Sequence, residues 1–234
     1  MYLITDLFAP ARLRSVLALG LLLLAPQACE HRAPVMSEPE DLVERSRLSV
    51  QKIMSDPDIP SAKTYIARAS GLLIVPQLIE GAFVVGGKGG AGVLLAQASD
   101  GSWSPPAFYT LAGGSIGLQL GGQVSEVVLT IMNEEALEAI LANQFELGVD
   151  ASVAVGPVGA GLGASTTTNL GADVYAFSRS VGLFGGAALD GAAVLAREEW
   201  NELYYGQGAT PRAIVLERRF FNKQADALRQ ALPR

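Results

Sequence analysis

Gly113-Gly114-Ser115-Ile116-Gly117 carries the Gly-x-Ser-x-Gly spacing of a hydrolase nucleophile elbow, where a serine is raised on a sharp strand-to-helix turn. That chemistry needs a base to take the serine proton, and the sole histidine, His31, lies far upstream. Beyond the serine, Ile116, Leu118 and Leu120 alternate with Gly117, Gln119 and Gly121, which is strand periodicity and not the start of a helix. Gly87-Lys88-Gly89-Gly90-Ala91-Gly92 spells Gly-x-Gly-x-x-Gly, the dinucleotide fingerprint, whose pyrophosphate must sit on the N-terminus of a helix immediately after it. Here Val93, Leu94 and Leu95 run instead into Asp100-Gly101, a hairpin-turn pair. Lys88 is followed by Gly89 where a phosphate-binding loop would have Ser or Thr. The carboxylates Asp100, Glu126, Asp150, Asp173 and Asp190 show no calcium-loop spacing. The expectation is a protein that is not an enzyme, with no catalytic residue, no metal site and no cofactor.

Cys29 is the one residue here whose chemistry is covalent. As the only cysteine it can form no intramolecular disulfide. It follows basic Arg12 and Arg14 and an apolar run over 16–25 that is too short to span a bilayer. This arrangement predicts a lipoprotein-type signal peptide over 1–28, Cys29 as the lipid-attachment residue, and a spacer over 29–37. Pro26-Gln27-Ala28-Cys29 departs from the usual Leu-(Ala/Ser)-(Gly/Ala)-Cys box, so plain secretion with an unmodified Cys29 stays open. The expected location is a bacterial cell envelope, lipid-anchored, with the periplasmic side of the outer membrane ahead of the inner membrane.

The elements that would position any site come in three blocks. Periodicity predicts helices over 38–54, capped by Ser37, and over 61–69. Period-two patterns follow, over 71–75, 81–87, 91–98, 106–112, 115–122, 124–131, 144–156, 170–178 and 182–194. One helix interrupts them at 134–141, with Asn133 as cap, and helices over 197–205 and 218–232 close the chain. Only Gly20, Gly206 and Gly208 of the 26 glycines fall outside the span from Gly71 to Gly191. Glycine at that density lets a sheet coil sharply. The fold class read from this is α+β: a mainly antiparallel, strongly curved or barrel-like β-sheet with flanking N- and C-terminal helices, forming one domain over 38–234.

Six stretches in order make the chain resemble the SYLF domain family over about 69–206. They are Asp100-Gly101-Ser102-Trp103-Ser104-Pro105-Pro106-Ala107-Phe108; Gly86-Gly87-Lys88-Gly89-Gly90-Ala91-Gly92-Val93; Gly113-Gly114-Ser115-Ile116-Gly117-Leu118-Gln119; Ala154-Val155-Gly156-Pro157-Val158-Gly159; Tyr175-Ala176-Phe177-Ser178-Arg179-Ser180 with Gly182-Leu183-Phe184; and Asn201-Glu202-Leu203-Tyr204-Tyr205-Gly206. The resemblance implies a non-catalytic domain that binds membrane phospholipids, phosphoinositides among them. The actin binding of eukaryotic members is not expected of an exported bacterial protein.

Charge qualifies that implication. From Gly71 to Ala196 only Lys88 and Arg179 are basic, against ten acidic residues, so this block repels nucleic acid and anionic headgroups. Residues 207–234 are net basic. The candidate lipid contacts are therefore Lys88, Arg179, Arg218, Arg219 and Lys223, with the helix bearing Arg45 and Arg47 next. Docking on the sheet is the plainer account of Phe221 on the last helix, while Arg218 and Arg219 stay open between solvated helix residues and lipid contacts. The alternative function is a structural or partner-binding envelope protein with incidental lipid affinity. An outer-membrane pore would need aromatic girdles that 2 Trp, 6 Tyr and 8 Phe do not supply.

Overall fold

A computed structural model describes residues 36–82, 85–116, 121–142, 145–156, 171–182, 189 and 191–234. The expected signal peptide, Cys29, most of the spacer, and parts of the motifs after Gly156 and Gly182 lie outside the described residues.

Helix α1 (Glu38–Ser55) starts where local chemistry says it should. The Ser37 amide donates to the Glu40 carboxylate at 2.8 Å, and Glu38, Glu40 and Asp41 face the positive end of the helix dipole. It stops at Asp56, whose extended backbone is what a following proline imposes. A short α2 (Ala62–Arg68) leads into β1 (Gly71–Ala82), β2 (Val85–Ala96), β3 (Ala107–Ile116) and β4 (Gly121–Ile131). Next come α3 (Glu134–Leu141), β5 (Phe145–Glu146), β6 (Val153–Val155), β7 (Val174–Gly182) and β8 (Ala192–Ala196). The chain then forms α4 (Glu198–Tyr205), α5 (Pro211–Val215), a 3-10 turn (Lys223–Ala225) and α6 (Asp226–Ala231).

The strands make one strongly curved, mainly antiparallel sheet in the order β5-β8-β3-β2-β1-β4-β7-β6; among the described strands the β6–β7 pair is the parallel one. Alternate residues of β1 feed opposite cores. Leu73, Val75 and Leu78 meet α3 and α5, while Leu72 and Ile74 meet α1, α2 and α6. A sheet covered on both faces needs apolar residues at every position, hence the continuous runs in β1, β2 and β4 and the positive mean hydropathy.

Two of the sequence stretches meet in space. Buried Asn201 on α4 acts as a strand partner for Phe108: its Oδ1 accepts from the Phe108 amide at 2.8 Å and its Nδ2 donates to the Phe108 carbonyl at 3.4 Å. The Tyr205 hydroxyl donates to the Pro106 carbonyl at 2.7 Å. The Asp100-Gly101 turn forms, with Gly101 at φ 78, and Asn133 caps α3 through the Ala136 amide.

Three expectations are corrected. The break over 76–80 is a bulge inside β1: register shifts there against both neighbours, because Pro76 has no amide for a ladder. The single strand over 144–156 is two short ones, β5 and β6, on opposite edges of the sheet. Gly148, at φ 84, turns the chain, and the Asp150 carboxylate accepts from the Glu146 amide at 2.6 Å. Of the helix expected over 218–232, residues 218–222 are irregular and the chain is helical only from Lys223; Ala225, Leu228 and Leu232 are buried while Phe221 is exposed.

Candidate functional site

The elbow and fingerprint spacings dissolve into sheet. Ser115 is in register with Gly86 near the end of the β2–β3 ladder, and residues 87–92 lie inside β2. Neither stands at a strand-to-helix turn. Among the described residues, no three His, Cys, Asp or Glu side chains are grouped to hold a metal ion.

What the fold does build is a groove of about 660 Å³ between α1 and the sheet. One wall is Arg45, Leu48, Ser49 and Lys52, an i, i+3, i+4, i+7 stripe beside the buried stripe of α1. The other wall is the Pro76–Gln77 bulge with Val124 and Glu126 of β4 and Arg179 of β7. At its centre the Glu126 carboxylate accepts three bonds. Lys52 Nζ gives one at 2.7 Å, Ser49 Oγ one at 3.2 Å, and Arg179 Nη1 one at 3.3 Å. Arg179 Nε also donates to Asp56 Oδ2 at 2.6 Å. The Asp58 amide first, and then Arg179, hold the Asp56 carboxyl below its ordinary pKa. At the far end Arg45 pairs with Asp41 and donates to Gln77 at 3.3 Å.

The arrangement is layered by exposure. The Glu126 and Asp56 side chains are 20% and 13% exposed, whereas Lys52 and Arg179 are 54% and 42% exposed. The acids lie beneath and the cations face solvent. Leu48 and Val124 stand beside them, each about two-fifths exposed. Chemically this is a surface for binding, its polar contacts being ion pairs and one serine–carboxylate hydrogen bond.

The candidate residues named from sequence do not form one surface. Arg179 belongs to the groove. Lys88 is buried on β2 between Glu80 and Gly113. Arg218 is half-buried at φ 52 and is spent on the β2–β3 hairpin, donating to the Ser102 hydroxyl at 2.8 Å and the Ser102 carbonyl at 2.9 Å. That hairpin is roughly 25 Å along β2 from Lys88, at about 3.3 Å per residue. Arg219 pairs with Glu217 at 2.6 Å, and Lys223 is exposed in the 3-10 turn. Sequence reasoning did not single out Lys52, Asp56 or the three-way Glu126 contact. Only the stripe on α1 signals them in the sequence.

The family model Ysc84, described as "Las17-binding protein actin regulator", matches residues 112–234. "Protein YSC84" of Saccharomyces cerevisiae is 34% identical over 170 residues, covering 71% of this chain and 36% of that protein. "SH3 domain-containing YSC84-like protein 1" of Homo sapiens is 35% identical over 162 residues, covering 65% and 47%. "LAS seventeen-binding protein 3" of Saccharomyces cerevisiae is 32% identical over 153 residues, covering 64% and 33%. The chain spans about a third to a half of the length of these relatives. Their names concern protein binding and regulation, and none names an enzyme. They overturn the expectation that membrane phospholipids are the partners and that the actin-regulatory side of the family can be set aside: what is named is a protein, Las17, and actin regulation.

Proposed function

The chain belongs to the Ysc84, or SYLF, family, and we propose that it is a non-catalytic module that docks a protein partner in the groove beside α1. The observation that carries this is the naming of its family and relatives for a protein they bind. The groove supports the place, because it combines exposed apolar side chains with a fixed charge network in one cleft. We propose further that residues 1–28 direct export and that Cys29 anchors the module in the cell envelope. The basic start, the short apolar run and the lone cysteine support that reading.

The test is photo-crosslinking in the cell that makes the protein. The full chain carries the crosslinking residue at Leu48, or at exposed Leu203 on α4 as a control. A discrete adduct with another protein from Leu48 and not from Leu203 is the expected result. Equal labelling from both positions, or none from Leu48, refutes the groove as the docking site.

A further inference from the structure

Resting on the protein-docking reading, we infer that the groove takes an acidic segment of its partner, with an apolar residue beside the acid. Three observations lead there. The first is direction of exposure. Glu126 and Asp56 already neutralise Lys52 and Arg179 from below, yet the ammonium and the guanidinium remain about half open to solvent above. The second is unused donor capacity. An ammonium has three N–H groups, and Lys52 gives one to Glu126. A guanidinium has five, and Arg179 uses Nε and Nη1, with no partner for Nη2 among the described residues. Both cations grip one carboxylate, Glu126, from its two oxygens. A partner carboxylate entering from solvent can bridge the same two cations on their open side, as a charge-assisted pair.

The third observation is contrast. The chain carries net charge −6, and Lys52 and Arg179 converge here with Arg45 at the far end of the cleft. The lining also holds Asp56, Asp58 and Glu126, three acids against these three cations, so an acidic segment repelled by most of the molecule meets a neutral cleft here, with the cations on its solvent side. Leu48 and Val124 flank the cations and supply an apolar seat. A volume near 660 Å³ suits a short segment and not a second folded domain.

The experiment uses the full chain and fluorescence anisotropy with a short labelled peptide of alternating glutamate and leucine, its glutamine counterpart, and phosphatidylserine–phosphatidylcholine vesicles. Saturable binding of the glutamate peptide is expected. Affinity should fall about tenfold or more for the glutamine peptide, and about tenfold for Lys52→Gln. Raising salt should weaken it further. Val124→Glu leaves every ion pair in place and sets a like charge at the seat. It should abolish binding while the melting temperature stays at that of the parent. Equal binding of the two peptides, or parent-like binding by Val124→Glu, overturns the proposal. So does vesicle binding that depends on Lys52 and Val124 where peptide binding does not. If the peptide fails but the Leu48 crosslink persists, the acidic class falls and protein docking stands; if both fail, both fall.

Discussion

Substituting the same alanine at two glycines should move stability in opposite directions. Gly90 lies on β2 beneath the Pro76–Gln77 bulge of β1. A Cβ there would stand 2.4 Å from the Gln77 carbonyl oxygen and 3.1 Å from the Leu78 Cα. Both contacts are backbone, so no rotamer change relieves them, and the bulge itself must shift. Overpacking of that kind costs about 1–3 kcal/mol. Gly81, further along β1, would meet nothing within 4 Å. Replacing it only restricts the unfolded chain, and stabilises by about 0.4–1 kcal/mol. For a domain of this size, 1 kcal/mol moves Tm by about 2–4 °C. Gly90→Ala should therefore melt several degrees below the parent, and Gly81→Ala at or slightly above it. Circular dichroism melts, with urea titrations to check the slope, measure both. Equal shifts at the two positions would refute the claim that the bulge presses on β2.

Asn201→Ala removes both bonds to Phe108 and strands a buried amide, so a loss of about 1–3 kcal/mol is expected from urea denaturation. A loss below about 0.5 kcal/mol would mean that α4 does not complete the β3 ladder. Asp56 is held below its ordinary value by the Asp58 amide and Arg179, and Asp173 by the Ser152 hydroxyl and amide. Folded-state values below about 3.9 mean that the unfolded chain binds more protons in that window. Stability is then full above about pH 4 and declines as the pH falls through the lowered values. Asp56→Asn with Asp173→Asn should flatten the acid limb of Tm against pH, and an unchanged limb would refute the assignment. Intact mass of membrane-extracted protein should show a chain starting at Cys29 and carrying acyl groups. A free thiol or a different cleavage point counts against the anchor.

What could be read in the sequence was what neighbouring residues decide. The Asn133 cap and the Asp100-Gly101 turn reach only two or three positions, and both form. Period-two alternation over 144–156 misled because it survives a turn. Phe145, Leu147 and Ala151 are all buried, yet a turn at Gly148 interrupts the strand between them. The last helix misled because Phe221 continues the apolar spacing, while the chain stays irregular until the Asn222 side chain accepts from the Gln224 amide. Arg179 stood out as an isolated cation in an acidic block. Its partners, Asp56 and Glu126, are separated from it by 123 and 53 residues, and no local pattern couples such positions. The site was legible as one residue, and its layered network was not.

The strand order carries a consequence for how the chain folds. The four inner strands, β3-β2-β1-β4, are contiguous in sequence and joined by hairpins or one short crossover, so they can pair as soon as they are made. Their outer neighbours come much later: β7 brings Tyr175 to Thr130, and β8 brings Ala196 to Tyr109. Each of those closures spends loop entropy before any contact repays it, which places folding in the slow, millisecond-to-second range expected of non-local sheets. If the inner four pair first, β3 and β4 are bare edges until β7 and β8 arrive, open to pairing with another copy. The expected hazard of this molecule is therefore kinetic: aggregation during refolding should rise with concentration even when the finished fold is stable.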